Sequence, residues 1–548
     1  MALIKTNGLD KKFYYNDLFY DYLFDFGKVS RFYSYDPSLM ESYRERADEL
    51  AGDFDHSLRS RLAGAVAAHN HRLGCSSETL NNIEKLKKRD SVVLIGGQQP
   101  VLFGGPLFIY YKAVTIIGMA KHLEKELGLE VVPCFWNASD DSNTSQIDSI
   151  SILTNKGLEH TGLGPLKEER FSDILLTQEK ADEILGKLGE KLDPSDFKPK
   201  IIDFFGDCIK NAFQKRGMAV SDLFSSIMLK FFSGQGLVII DPAIPGLKDM
   251  GWEVIRSDIE NFKMFNSLVR KAGQKLEYSG YHSQINVVQD TLNFFFTFQG
   301  KRKSITYQNG SFRINSKELP REQLVQDFRK NISSICPNVM LRPLFQDTIL
   351  PVLATVCGPG EVSYFAQLKE VYKSRGKRLP ILYPRFSATL VEKKVKKILE
   401  KYRLDYSLLG SDFQKLEKIA LKKFLDIDID RIVSELEHDI MKRITDAEQE
   451  VCSDHMEAAS SFDRIRRNLA KETGVLKSKL FSEYQKQNRH LKQGIDKVGL
   501  NLLPQGQLQE RKISILSYID KYDFKFVDML EGCFVPFDYR HKFLEVVY

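Results

Sequence analysis

Cysteine is scarce in this chain. Seven occur in 548 residues, at 75, 134, 208, 336, 357, 452 and 533, and none forms a C-x-x-C pair. An odd count at such spacing argues against a disulfide framework and a thiolate zinc site. The ten histidines include no H-E-x-x-H, so no tightly bound transition metal is expected. Long apolar runs are also missing. No stretch of 18 apolar residues occurs, which excludes a membrane-spanning helix. The opening "MALIKTNGLDKKFYYND" lacks the basic-then-apolar pattern of a secretion signal. Charge of one sign is lacking too. The 79 basic and 73 acidic residues leave a net charge of +6, too dilute for a nucleic-acid-binding face but compatible with small anions. The expected location is the reducing cytoplasm, and neither nucleic acid nor membrane is an expected partner.

What is present is the composition of a soluble globular protein, 43% hydrophobic and 28% charged. The length predicts two to four structural units. "SVVLI" (Ser91 to Ile95) reads as a buried strand. A glycine-rich run, an apolar helix ending near Gly128, and a second strand "EVVPCFW" follow. This is a βαβ unit, and it predicts a right-handed crossover and a parallel sheet. "GLVIID", "ILPVLATVCGPGE" and "LPILYPRFS" read as further strands. The fold class expected is therefore α/β, with a Rossmann-like parallel-sheet core.

The expected organisation has six parts. Residues 1–90 form a helical part of the core and 91–150 its first half. A charged, mostly helical connecting insert spans 151–230. The second half of the core covers 231–388, with a β-rich insert near 280–315 that turns at Asn309-Gly310. Between Pro384 and Pro504 no proline occurs. There Ile432, Leu436, Ile440, Ile444, Ala447 and Val451 recur every three or four residues, followed by Phe462, Ile465 and Leu469. Residues 389–500 are thus expected to form a coiled-coil hairpin, and 501–548 to return to the core. The apolar stripe needs a partner, either the other arm or a second protomer. A homodimer is the expectation.

Ligands of parallel sheets bind beyond the carboxyl ends of the strands, and that rule ranks the motifs. "GGQQPVLFGGP" (Gly96 to Pro106) follows one strand, without the lysine of a P-loop. Gly97, Gln98, Gln99 and Gly105 are candidates to hold a carboxylate or anion, with Pro106 at the first helical position. The plain alternative is a turn that serves packing. Trp136 and Asn137 end the next strand, and Asp140 and Asp141 follow as candidates for an amine, a ribose or Mg²⁺. A helix cap is the alternative there. Glu361 follows Gly358-Pro359-Gly360 as a partner for a cation or a cap. Arg342 lies in an apolar neighbourhood and needs a carboxylate of the protein or of a ligand. His282 is the most site-like histidine, though a lone histidine is commonly structural. A projecting hairpin brings its two ends together, so Arg385, Ser387, Gln509 and Arg511 are expected to meet. They suit a phosphate or nucleotide, unless the arginines pair with Glu392 or Glu510.

Taken together, these motifs resemble one family. "GGQQPVLFGGPLFIYYK" is similar to the T-G-Q-Q-x-G-L-x-x-G-P-L-Y-x-x-x-K segment of the bacterial cysteine ligases of bacillithiol biosynthesis. "VPCFWNASDDSNTSQI" resembles that family's V-P-V-F-W-x-A-x-E-D-H-D-x-x-E-I. "GLVIIDP", "GYHSQINV", "NVMLRPLFQDTILPVLATVCGPGEVSYFAQLK", "LPILYPRFSAT" and "LPQGQLQERKISILSYIDKY" match in order. The resemblance implies a core like class I aminoacyl-tRNA synthetases, connecting-peptide inserts and a dimerising coiled coil. The implied reaction joins the carboxyl of cysteine to the amine of glucosaminyl-malate. ATP is the expected activator, through an acyl-adenylate or an acyl-phosphate, with Mg²⁺ as a candidate companion. The resemblance carries over to Gly97, Gln98, Gln99, Gly105, Pro106, Asp141, Arg342, Gly358, Gly360, Glu361, Arg385 and Ser387, while Asp140 replaces a glutamate. The family's His-Asp is Ser142-Asn143 here, its later acid is Gln146, and Pro100 stands where small residues are usual. A second reading follows from those departures: a non-catalytic dimeric scaffold or ligand sensor on the same fold.

Overall fold

The computed structural model describes residues 2–4, 11–315, 317–406, 413–425, 428–452 and 459–547. At its centre are five parallel strands: β1 (Val92–Gln98), β2 (Val131–Asn137), β3 (Val238–Ile240), β4 (Val352–Cys357) and β5 (Ile381–Pro384). Their spatial order is β5-β4-β1-β2-β3, all parallel. The order reverses direction between β1 and β4, which is the doubly wound arrangement. Both faces of such a sheet are covered, so its strands are apolar throughout rather than alternating. Val93, Leu94 and Ile95 of β1 are each at most 1% exposed.

Helix α1 (Leu107–Leu127) crosses from β1 to β2 and ends on Gly128, whose φ of 68° suits a left-handed cap. Pro106 is the N-cap of α1 with extended backbone, one position earlier than predicted. The first amide of the helix, Leu107 N, already donates to Ile513 O at 2.9 Å. The outer edge of β3 is closed by a side chain. Asn70 accepts from Ile239 N (2.9 Å) and donates to Ile239 O (2.8 Å), mimicking the next strand. Buried Arg59 ties the chain just before β1 by donating to Leu86 O, Arg89 O and Ser91 O.

The insert near 151–230 is less helical than expected. It opens with an antiparallel hairpin, Ser149–Thr154 against Gly157–Gly162, and carries three further short strands. The alternation in "SISILT" is only six residues long, too short to stand out among charged neighbours. The β-rich insert is an antiparallel five-stranded sheet built from Thr291–Phe298, Lys301–Gln308, Ser311–Ile314, Lys317–Leu319 and Ile335–Pro337. Its tight turn is at Asn309-Gly310, both with positive φ (49° and 85°). It packs on helix α2 (Trp252–Tyr278), where Asp258 accepts from the backbone and side-chain nitrogens of Asn293.

Helices α3 (Leu341–Ile349) and α4 (Pro359–Phe365) flank β4. Beyond β5 the chain forms the helical hairpin of α5 (Ile429–Cys452) and α6 (Ala459–Gln487). Ion pairs Arg466–Glu448 and Lys477–Asp430 fix the two arms as antiparallel. No helix among the described residues is long and apolar enough to cross a membrane.

The two ends of the hairpin are sewn together. Strand Ala388–Glu392 runs parallel to Lys542–Val546, which also pairs with Ala2–Ile4. Gln509 is fully buried and bonds both backbone groups of Leu390, accepting from its N (2.8 Å) and donating to its O (2.9 Å). Glu510 accepts from Arg385 (2.6 Å), Ser387 (2.9 Å) and Ala388 N (3.2 Å). His541 sits among Ser387 and Thr389 hydroxyls at 2.8 and 2.9 Å. Burial pushes its pKa down to about 4, so the imidazole stays neutral in the fold. An imidazole that is neutral when folded must charge on unfolding below its ordinary pKa. Its contribution is therefore intact at neutral pH and lost as pH falls from about 6.5 towards 4. His541→Asn lacks this term. The stability gap between wild type and His541→Asn is expected to narrow by about 2 kcal/mol between pH 7.5 and pH 5. Urea unfolding at both pH values measures it, and a gap that stays constant or widens contradicts the assignment.

Candidate functional site

A cleft of about 320 Å³ opens where the strand order reverses, at the carboxyl ends of β1 and β4. The glycines of "GGQQPVLFGGP" serve two different ends. Gly96 and Gly97 are still strand. A Cβ on Gly97 would meet Trp136 O at 2.7 Å, and one on Gly96 would meet Val356 O at 3.0 Å. The sheet is too tight there for any side chain. Gly104 and Gly105 have φ of 82° and 72° and turn the chain into α1. Gly105 faces Ile109 and Val101 and lies outside the cleft lining. The run is thus a strand end plus a turn, with Gln98 and Gln99 between them facing the ligand space.

Beneath Gly97 lies a group the motif reading passed over. Lys112, on the first turns of α1, is 1% exposed. Its Nζ donates to Gly97 O (2.6 Å) and to Glu361 Oε2 (2.7 Å). Glu361 also accepts from Gly358 N at 2.7 Å, so the expected cap of α4 is present. One buried ammonium joins the loop after β1 to the loop after β4. The signal was available: Lys112 is the single charge between Leu107 and Ala120.

Trp136, Asp141 and Arg342 complete the wall. Asp141 accepts from Gln99 (2.5 Å), Arg302 (2.5 Å) and its neighbour's amide, Ser142 N (2.7 Å). Burial works against its charge, but Arg302 and these hydrogen bonds outweigh it, so the pKa lies below the usual carboxylate range. Arg302 comes from the β-rich insert and also lies 3.5 Å from Ser142 Oγ. Sequence reasoning gave it no role, because its partner is far away in the chain. Arg342 donates to Tyr364 Oη at 3.3 Å. Its pKa is raised, with burial opposed by Tyr364, Glu361 and Asp140.

Of the four residues expected at the hairpin stem, three gather around a second cavity of about 540 Å³: Arg385, Ser387 and Arg511. Arg385 and Arg511 also line the cleft, so the two spaces adjoin. Arg385 is paired with Glu510, the alternative considered above. Arg511 lies over the ring of Tyr15 at 5.1 Å. Gln509 is the exception, buried as the clamp on Leu390 rather than lining either cavity. Two other candidates also lie elsewhere. Asn137 is fully buried and donates to Ser221 O, Ser225 Oγ and Asp241. It secures β2 to the helix over it. Asp241, held by this network, is pushed up to about 7 by burial. His282 is exposed on the irregular segment after α2, outside the lining of the cleft.

Among the described residues, neither Arg342 nor Arg511 has a carboxylate within 4 Å. The cleft therefore presents two guanidinium groups with no carboxylate in contact, beside neutral glutamine amides, a surface complementary to carboxylate or phosphate. The Lys112–Glu361 pair holds the frame in which they sit. Lys112→Met is expected to cost about 3 kcal/mol, because it leaves a carboxylate without its cation. Lys112→Met with Glu361→Gln is expected to recover at least half of that loss in denaturant unfolding. An additive double variant would show that the two side chains do not act as a pair.

Comparison with known proteins agrees with this architecture. Residues 4–386 match the family described as "Bacillithiol biosynthesis BshC, N-terminal Rossmann-like domain". Residues 388–546 match "Bacillithiol biosynthesis BshC, C-terminal coiled-coil domain". A protein of Salinibacter ruber named "Putative cysteine ligase BshC" is 32% identical over 524 residues, covering 94% of this chain and 93% of the relative. The protein of the same name in Koribacter versatilis is 31% identical over 94% of both chains. That of Desulforamulus reducens is 28% identical over 97% of this chain and 99% of its own length. With both of its parts matched in order, the chain belongs to the BshC family of bacillithiol biosynthesis.

Proposed function

We propose that this protein is an amide-forming ligase that joins the carboxyl of cysteine to the amine of glucosaminyl-malate, with ATP as the activating donor. The observation that carries this reading is the cleft at the strand-order reversal, with its two guanidinium groups unanswered by protein carboxylates. Membership of a bacillithiol-biosynthesis family whose relatives are named putative cysteine ligases supports these substrates. Forming an amide from a carboxylate in water needs a better leaving group than oxide, and ATP supplies one when bound. The residues at the stem fit such a group: Arg385 and Arg511 beside the aromatic side chains of Tyr14, Tyr15 and Phe19.

The chain's own contribution is binding and orientation. Gln98, whose side-chain amide bonds to no described residue, is a neutral donor for a carboxylate or acyl oxygen. Gln99 is held by Asp141 and positions it. Arg342 balances negative charge that gathers as the carboxyl is activated. Asp141 already carries Arg302, so the acidic pair does not fit a Mg²⁺ ion held by two carboxylates, and no step is assigned to the metal.

Purified protein incubated with cysteine, glucosaminyl-malate and ATP is expected to give the condensed thiol, detected by mass spectrometry. Gln98→Ala and Arg511→Ala are expected to lower kcat/KM roughly 100-fold. If wild type makes no product under varied metals and thiols, the reading fails and the scaffold reading takes its place.

The hairpin supports a second element, a homodimer. Ile432, Leu436, Val475 and Leu476 are 47%, 45%, 39% and 38% exposed. The Lys477–Asp430 ion pair brings their helices to the same level. A seam of exposed aliphatic residues on a hairpin whose arms already pack together fits a second copy. Ile432→Glu with Leu436→Glu is expected to halve the solution mass in light scattering while circular dichroism keeps its helical signal. An unchanged mass would place the contact elsewhere or exclude it.

A further inference from the structure

Beside the cleft lies another cavity, of about 520 Å³, roofed by the β-rich insert. Asp140 and Asp141 after β2 form one side, and Pro337 to Arg342, leading into α3, form another. The cavity shares Asp141 and Arg342 with the cleft and no other lining residue. Two chambers thus meet at one acid and one base.

The two neighbouring aspartates are treated very differently. Asp141 is answered by Arg302, Gln99 and an amide. Asp140 is only 7% exposed, yet its carboxylate makes no hydrogen bond or ion pair with any described residue. Its oxygens open onto the cavity instead of being sealed in the core, where a ligand's donor can meet them. Across the cavity stands Arg342, bonded to the Tyr364 hydroxyl and to no carboxylate. Between these charges the lining is mixed, with apolar Val287, Leu292, Phe295 and Met340 beside polar Asn286, Asn293 and Asn338. The chamber therefore offers an acceptor for an ammonium, a donor for a carboxylate, and between them a body of amide and apolar side chains far larger than cysteine needs.

We infer that this cavity is the binding site of the amine-bearing co-substrate, taking a primary amine on Asp140 and a carboxylate on Arg342, and opening to the cleft between Asp141 and Arg342. The inference rests on the amide-forming reading, since such a reaction needs its two substrates to arrive from separate pockets and meet at a point. It also gives the β-rich insert a role. Arg302 anchors the insert to Asp141, so the roof of the chamber is tied to the acid at its threshold.

Two variants separate this inference from its foundation. Asp140→Asn removes the charge and leaves the shape. Ser304→Trp, at the exposed rim on the insert, fills the mouth without touching the core. Both are expected to raise the KM for glucosaminyl-malate at least 10-fold and leave that for cysteine within twofold. Asp140→Asn is expected to fold and unfold much as wild type does, because the carboxylate it removes makes no hydrogen bond or ion pair and favours Arg342 only from a distance. Calorimetric titration of glucosaminyl-malate alone, without cysteine or ATP, should show binding to wild type and a loss of at least 10-fold in both variants. If product forms but both variants keep the wild-type KM for the amine, the ligase reading stands and this site falls. If wild type forms no product yet binds glucosaminyl-malate in an Asp140-dependent way, the site stands and the ligase reading falls. Absence of binding to wild type overturns the site.

Discussion

The ammonium of Lys112 is the interaction on which the site depends. The sheet reverses its order between β1 and β4, and that reversal leaves a crevice rather than a packed seam. Something has to hold the two lips of the crevice at a fixed distance while leaving it open. Lys112 does so from below, bonding a carbonyl on one lip and a carboxylate on the other. Glu361 passes the constraint on to Gly358 N and so to the start of α4. Gly96 and Gly97 are glycines because β1 lies against its neighbours at this same point. The neutral and cationic groups facing the ligand inherit their positions from that frame.

Much of the fold was legible in the sequence. Parallel strands buried on both faces appear as short unbroken apolar runs, and β1 to β5 all carry that mark. The hairpin was legible from a proline-free stretch with three-and-four spacing. The insert after residue 150 was not, because its strands of two to six residues leave too little alternation to register. In the candidate site, the strand-end rule led to Gln98 and Asp141, since position along a strand is a local property, and Arg342 stood out as a charge among apolar neighbours. Arg302 and the unpartnered state of Asp140 depend on contacts across more than a hundred residues, which no local pattern encodes. His282 and Gln509 show the converse. Both residue types suit ligand binding, but His282 lies on an exposed segment and Gln509 serves as a backbone clamp.

The hairpin stem repeats the logic of the cleft in a different chemical form. There the buried charge is Glu510, and burial opposes it while Arg385 and the Ser387 hydroxyl keep it ionised below the usual range. Arg385 lines both the cleft and the stem cavity, so an ion pair that fastens the helical hairpin also shapes the ligand space. A coiled coil that served only assembly would not need its root inside the site. Here the root and the site share the guanidinium groups of Arg385 and Arg511.

The small sheet at that root has a temporal consequence. Strand Ala388–Glu392 takes its hydrogen bonds from Lys542–Val546, more than 150 positions later, and that later strand in turn pairs with Ala2–Ile4. Residues 2–4 must therefore wait on the ribosome until the chain has grown past residue 546. The central sheet can form earlier, since its last strand ends at Pro384. During synthesis the five strands of the Rossmann-like layer are thus all available before the residues that close the stem. The stem closes last, when Ala2–Ile4 meets the strand Lys542–Val546.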